Sequence, residues 1–307
     1  MNAAASHPRL VVTDEVSDAI ASGRGVVALE STIISHGLPT ESAAATARQI
    51  EDAVRRGGSV PATIALLDGA VHVGLGDEAL VRVAEEPAVV KASTRDLGPV
   101  LARGATGATT VAATSYLAHL AGIDVFATGG LGGVHRDAAE TWDESADLAA
   151  LASVPVTVVC AGVKSILDVP ATLERLESLS VTVLGFGTDA FPGFYVRDSG
   201  SPVPWRVDSA GEVASIARRR RELGLTQGMV VAQPVPEADE MAAALHERTL
   251  RDGMAAAAQA RVVGKEVTPF LLGWFHEHTD GASLRANVSL VLQNAELAAR
   301  IAASPGD

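Results

Sequence analysis

A chain of 307 residues, 48% of them hydrophobic, can bury a substantial core and is long enough for one large domain or two ordinary ones. The net charge of −13 argues against a nucleic-acid partner, because no basic stripe is available to displace counterions from a phosphate backbone; an anionic small substrate stays open, since local lysines decide that. The single cysteine, Cys160, excludes an intrachain disulfide and fits a reducing cytoplasm.

Residues 1–8 are polar and lack the apolar core of a secretory signal, so they are expected to form a flexible tail. Beyond them, short Val-, Ile- and Leu-rich runs alternate with helix-like stretches. Strands are predicted at 26–30, 62–67, 71–73, 89–92, 124–128, 156–161, 181–186 and 229–232, with Asp68-Gly69 as a hairpin turn. Most of these runs are apolar on both faces, as buried parallel strands are. Helical patterns fall at 41–57, 110–121 and 210–223. The C-terminal third is different: 238–260 is Ala- and Glu-rich and helical, Val267-Thr268-Pro269 opens another helix, and 284–301 is a long amphipathic one. These are expected to pack on the sheet or at subunit contacts. The alternation predicts a three-layer α/β/α sandwich around a mostly parallel sheet, with additional C-terminal helices, and residues 1–307 as a single domain. The longest uncharged apolar stretch, 148–163, contains Pro155 and is too short to span a bilayer, so no membrane association is expected.

Lys164 follows the apolar run 156–163, where a parallel strand would deliver its C-terminal end into a ligand crevice. Desolvation there lowers a lysine pKa and leaves the amine neutral and nucleophilic; reaching neutrality near pH 7 needs roughly 4–5 kcal/mol of bias against the ammonium. Just upstream, Glu140, Asp143, Glu144 and Asp147 would share one face if the segment is helical. That pattern describes a solvated acidic face, or a site for a hard cation such as Mg²⁺ or Mn²⁺. The glycine-dense run Gly129-Gly130-Leu131-Gly132-Gly133 before it favours the second, because it lets a ligand approach the backbone. Lys91, in the apolar run 89–92, either reaches water from a strand end or is held by an anion such as phosphate. Thr110 and Val111 open a helix whose free amides suit an oxyanion, although a threonine N-cap has the same appearance. Glu30 ends the first predicted strand, where burial would raise a carboxyl pKa and suit a general acid; it could equally cap a helix or pair with Arg24.

Two patterns fail on inspection. Gly185-Phe186-Gly187-Thr188-Asp189-Ala190 has dinucleotide-fingerprint spacing, but Pro192 cannot sit inside the helix such a site requires. His276 and His278 are two apart, so on a helix they cannot share an ion.

The segments Ala28-Leu29-Glu30-Ser31-Thr32-Ile33-Ile34-Ser35-His36-Gly37, Gly129 to Arg136, Asp143 to Leu148 and Cys160-Ala161-Gly162-Val163-Lys164-Ser165 together resemble the pseudouridine-5'-phosphate glycosidase family, also called the indigoidine synthase A family. The runs 185–189 and 264–272 extend the likeness, which spans roughly residues 9 to 302 in order. The resemblance implies an α/β/α core, a cytoplasmic homotrimer, and bound Mn²⁺, with Mg²⁺ as the alternative ion. It also implies reversible conversion of pseudouridine 5'-phosphate and water into uracil and ribose 5-phosphate. Carried over, Lys164 matches the nucleophile, Glu30 the proton donor and Asp143 the metal ligand, while Asp147 is expected to orient groups or relay protons. Lys91, Val111, Ser145, Ala146 and Asp147 match substrate contacts, with His135 and Asn287 at the uracil; Thr110 and Thr128 complete the candidate set. Glu144, Trp142 and Thr40 depart from the family's usual residues, and Glu144 could give the ion a second carboxylate. Two other readings stand beside this one: an aldolase-like Schiff-base lyase on another phosphosugar, and a non-catalytic phosphosugar-binding regulator.

Overall fold

The computed structural model describes residues 9–304, so the expected tail at 1–8 lies outside the described residues. In chain order the strands are β1 (Leu10–Val12), β2 (Val26–Leu29), β3 (Val60–Leu67), β4 (Ala70–Val73), β5 (Val90–Ala92), β6 (Gly107–Thr109), β7 (Val125–Ala127), β8 (Thr157–Cys160), β9 (Thr182–Phe186), β10 (Trp205–Val207) and β11 (Met229–Ala232). They form one sheet in the order β1-β4-β3-β2-β7-β8-β11-β9-β10, with β6 also on β3 and β5 on β6. Every pairing is parallel except β3 with β4 and β3 with β6. The sheet is therefore mostly parallel, as its uniformly apolar strands demand: all residues of β2, β3, β8 and β11 are buried.

The hairpin after β3 forms at Asp68-Gly69, both residues left-handed (φ 51° and 79°), which matches the twist of two antiparallel strands. Strands β1, β6 and β10 are not evident in the sequence. Each has three residues, too few to show a period; β6 begins on glycine, and the Trp205 and Arg206 side chains of β10 are exposed.

Helices cover both faces. The helix Val111–Leu120 packs on β2 and β7 and against Ala146–Leu151. The closing helix, Ala282–Ala303, crosses β2, β7 and β8 and lies along Thr40–Arg56. Its buried face is built from Ala286, Leu290, Val291, Ala295, Leu297, Ala298 and Ala299, small enough to bring its backbone close to the sheet. Ser59 Oγ donates to Ala299 O at 2.8 Å across that contact. The predicted helix at 238–260 begins later, at Ala243, after a short turn at Glu237–Asp239. No described helix is long and apolar enough to cross a membrane.

After β8 the chain turns sharply at Gly162, whose φ is +83°. A side chain here would run into the carbonyl oxygen of Pro192. The turn keeps β7 and β8 paired past their ends: Leu131 N donates to Gly162 O at 2.9 Å, and Lys164 N donates to Leu131 O at 3.0 Å. Gly162→Ala combines left-handed strain with a steric collision, so it should destabilise the fold by about 2–4 kcal/mol. The expected result is a clearly lowered midpoint in thermal unfolding, with activity falling because Lys164 is displaced.

Candidate active site

Strands β2, β7 and β8 are neighbours in parallel register, so their carboxyl ends open at one edge of the sheet. Glu30 follows β2, Thr128 follows β7 and Lys164 lies four residues beyond β8. Glu30 is only 8% exposed, and its two oxygens accept hydrogen bonds from the hydroxyls of Thr32 and Thr128. A second row of hydroxyls supports it. Ser31 Oγ donates to Ile64 O (2.7 Å) and accepts from Thr109 N (2.8 Å), tying the end of β2 to β3 and β6. Thr109 and Thr114 continue this network. Glu30 thus neither caps a helix nor pairs with Arg24.

Glu30, Lys91, Lys164 and Asn287 line one cleft of about 60 Å³ with His36, Phe194 and Thr268. An adjoining recess of about 230 Å³ shares His36, Pro269, Leu272 and Asn287, so the two form a continuous groove. Lys91 arrives from the short pair β5–β6 and is half-buried. Burial first, and the Lys164 cation second, hold its pKa below the ordinary lysine range, against the pull of Asp147, Glu30 and Glu266. Burial, then Lys91, likewise depress His36. Asn287 comes from the closing helix, as does Asn294, whose Nδ2 donates to Thr128 O at 2.9 Å.

The acidic segment does not form one helical face. A short helix, Ala138–Thr141, ends at Trp142 in the left-handed region (φ 59°), and a new helix begins at Ala146. Glu140 is exposed, and Glu144 pairs with Arg175 at 3.0 Å, so Glu144 is already committed rather than free to join Asp143 on an ion. Asp147 is buried, at 5% exposed. It does not line the cleft. Its oxygens accept from Ala112 N (2.9 Å) and Gly132 N (2.8 Å), joining the first turn of Val111–Leu120 to the glycine loop. Ser145 Oγ caps the next helix by accepting from Asp147 N and fills the space beside Gly132. Thr110 is the N-cap of Val111–Leu120, its hydroxyl accepting from Ala113 N, while Val111 is buried and Ala146 exposed.

Asp143 lies 3.8 Å from His135 Nδ1. Among the described residues no cluster of three or more His, Cys, Asp or Glu side chains could hold a metal. One carboxylate nevertheless fits Mg²⁺ or Mn²⁺, ions that keep several waters and take remaining oxygens from substrate phosphate.

Ser31, Thr109, Asn294 and His36 play a larger structural part than sequence reasoning gave them. Asn294 lies outside every motif the sequence singles out. Cys160 is fully buried, its thiol pushed up to about 12 by desolvation, and behaves as a small hydrophobe. The run 185–190 leads into an irregular loop and no helix, and His276 and His278 are exposed, as expected.

A helix-flanked, mostly parallel sheet with a carboxylate and an amine beyond the carboxyl ends of its strands is the framework of an α/β enzyme. Residues 15–304 match the family described as indigoidine synthase A like protein, and the chain belongs to that family. It is 55% identical over 298 residues to a pseudouridine-5'-phosphate glycosidase of Streptomyces griseus, covering 97% of this chain and 92% of that one. It is 54% identical to the protein of that name from Nocardioides, with 97% of both chains covered. Among solved structures, the prealnumycin C-glycosynthase AlnA in complex with ribulose 5-phosphate superimposes with a TM-score of 0.88 at 39% identity, over 96% of each chain. An indigoidine synthase A-like protein of Thermotoga maritima gives 0.87 at 38% identity, over 96% of this chain and 95% of that one.

Lys91 carries a stability consequence. Its folded pKa is lowered, so below that value both folded and unfolded chains hold the proton and the full penalty of burying a cation is present. Stability therefore rises with pH between the lowered value and the ordinary lysine range near 10.5. Lys91→Met should be more stable than the parent at pH 7, with the difference closing toward pH 10.5. Thermal melts across pH, without substrate, measure this.

Proposed function

We propose that this protein reversibly cleaves the C-glycosidic bond of pseudouridine 5'-phosphate, giving uracil and ribose 5-phosphate through a Schiff base on Lys164. The observation that carries this reading is the meeting of Lys164, Glu30 and Lys91 in one cleft at the strand ends. The 55% identity to named glycosidases, against 39% to the C-glycosynthase, favours cleavage of this bond over attachment of another aglycone.

The bond to be broken joins ribose C1' to uracil C5. Carbon offers no lone pair for the acid that assists an ordinary glycosidase, so a different electron sink is needed. The C1'–O4' bond breaks as Glu30 protonates O4' and the uracil ring lends electrons to C1'; the uncharged Nζ of Lys164 then adds at C1', its proton passing back to Glu30. Glu30 delivers a proton to uracil C5. The C1'–C5 electron pair leaves with uracil, and C1' becomes the carbon of an iminium with Lys164. Water adds to that carbon and releases ribose 5-phosphate, restoring the amine. The Thr32 and Thr128 hydroxyls hold the Glu30 carboxylate in a single orientation for both proton donation and recovery.

Lys91 supplies a cation for the substrate phosphate, assisted by Thr110, Val111, Ser145 and Ala146 around the glycine loop; Thr128 stands by the sugar. Asn287 and His135 address the uracil. Asp147 orients the loop and the helix start through its two amide bonds, rather than touching the reacting bond. Mn²⁺, or Mg²⁺, held by Asp143 would add positive charge that fixes and polarises substrate oxygens. The whole chain acts as one catalytic domain in a cytoplasmic homotrimer; the single buried cysteine suits a reducing compartment.

Mixing uracil, ribose 5-phosphate and Mn²⁺ with the protein should yield pseudouridine 5'-phosphate; product that forms without uracil would favour an aldolase-like reaction, and binding without product a regulator. Lys164→Ala should abolish turnover with the fold intact. Borohydride with ribose 5-phosphate should label the parent but not this variant, and label persisting in the variant would remove Lys164 from the nucleophile role. Glu30→Gln should lower kcat by about 10²–10⁴ while leaving the unfolding midpoint near that of the parent.

A further inference from the structure

The amino ends of the same strands frame a second cavity, of about 300 Å³, at the edge of the sheet opposite the cleft. Its floor is the starts of β2, β7, β8 and β11, so it is separated from Lys164 by the length of the strands, on the order of 13 Å at about 3.3 Å per residue. Arg24, Arg218, Arg220 and Arg221 line it, opposed among the described residues by one lining carboxylate, Asp124. In a chain of net charge −13, four guanidiniums around one hollow are out of proportion.

The local pairing leaves this charge largely uncompensated. Asp124 is taken by Arg221 at 2.6 Å. Arg220 donates to Thr182 Oγ1 and to the carbonyls of Gln227 (2.9 Å) and Gly228 (3.3 Å), all neutral oxygens. Burial holds its pKa below the ordinary arginine range, the mark of a cation that has lost water without gaining an anion. Arg218 reaches Glu222 at 3.7 Å and donates to Ser215 Oγ at 3.5 Å. A planar guanidinium fork matches a phosphoryl group. The basic last turn of helix Ala210–Glu222 complements the helix dipole, which explains why arginines occur there, but not why Arg218, Arg220 and Arg221 all line one cavity.

We propose that this cavity is a second ligand site, taking the phosphoryl end of a small phosphorylated molecule independently of the catalytic cleft. Ile20 and Leu225 on the same walls provide an apolar surface for the remainder of such a ligand.

Inorganic pyrophosphate is the probe, titrated calorimetrically into the full chain without divalent metal. A site besides that of the catalytic cleft is expected, with affinity falling as salt rises. Arg218→Gln combined with Arg220→Gln should weaken it at least tenfold, and Lys91→Ala should remove the cleft's pyrophosphate site while leaving this one. Arg220 also braces a loop, so Arg24→Gln provides a milder variant; it should weaken binding several-fold with an unchanged unfolding midpoint. Adenosine diphosphate binding more tightly than pyrophosphate would assign a nucleotide, and equal affinity an inorganic phosphate; either supports the site. Absence of a second site, equal affinity in the double arginine variant, or loss of both sites on Lys91→Ala would overturn it. None of these outcomes depends on the C-glycosidase activity.

Discussion

Parallel pairing of β2, β7 and β8 is the constraint on which the site depends. Parallel strands end together, so whatever follows them converges without any long-range coincidence in the loops. Here a carboxylate follows the first, a hydroxyl the second and an amine the third. The hydroxyl of Thr128 bonds the carboxylate of Glu30, while the left-handed turn at Gly162 carries the amine back over the same edge. Remove the register and the three groups have no reason to meet.

The architecture was legible because its strands are buried on both faces. Runs such as Val26 to Leu29 and Met229 to Ala232 have no polar position to confuse a reading, and the helices between them carry clear periods. What escaped notice was short or dependent on partners. Strand β6 exists because β3 outruns β2 and offers Ala65 and Leu66 to Gly107 and Ala108. Nothing local to 107–109 announces that. The acidic segment failed for a related reason: a helical wheel assumes an unbroken helix, and Trp142 in a left-handed conformation breaks it between Glu140 and Asp143. The likeness to a known family brought Glu30, Asp143, Lys164 and Asp147 forward; the structure lines the cleft with Glu30 and Lys164 and sets Asp147 against Gly132. The likeness could not show that Asp147 spends both oxygens on backbone amides.

The cleft is assembled against electrostatic preference. Lys91 and Lys164 face each other closely enough for the second to depress the first, and Glu30 is held in a buried pocket by neutral hydroxyls rather than by a cation. An isolated domain gains nothing from such an arrangement. A phosphorylated substrate relieves the lysine repulsion on entering, so ligand and fold should stabilise each other through the same groups. This opposition between stability and site chemistry is expected where local rules are broken for function.

The closing helix, Ala282–Ala303, is usually the kind of element one regards as outer cladding, yet Asn294 grips the carbonyl of Thr128 and Asn287 forms part of the cleft wall. During synthesis, the strands bearing Glu30 and Lys164 leave the ribosome long before this helix does. The nascent chain therefore holds Glu30 and Lys164 in an unfinished, wet crevice until helix Ala282–Ala303 docks.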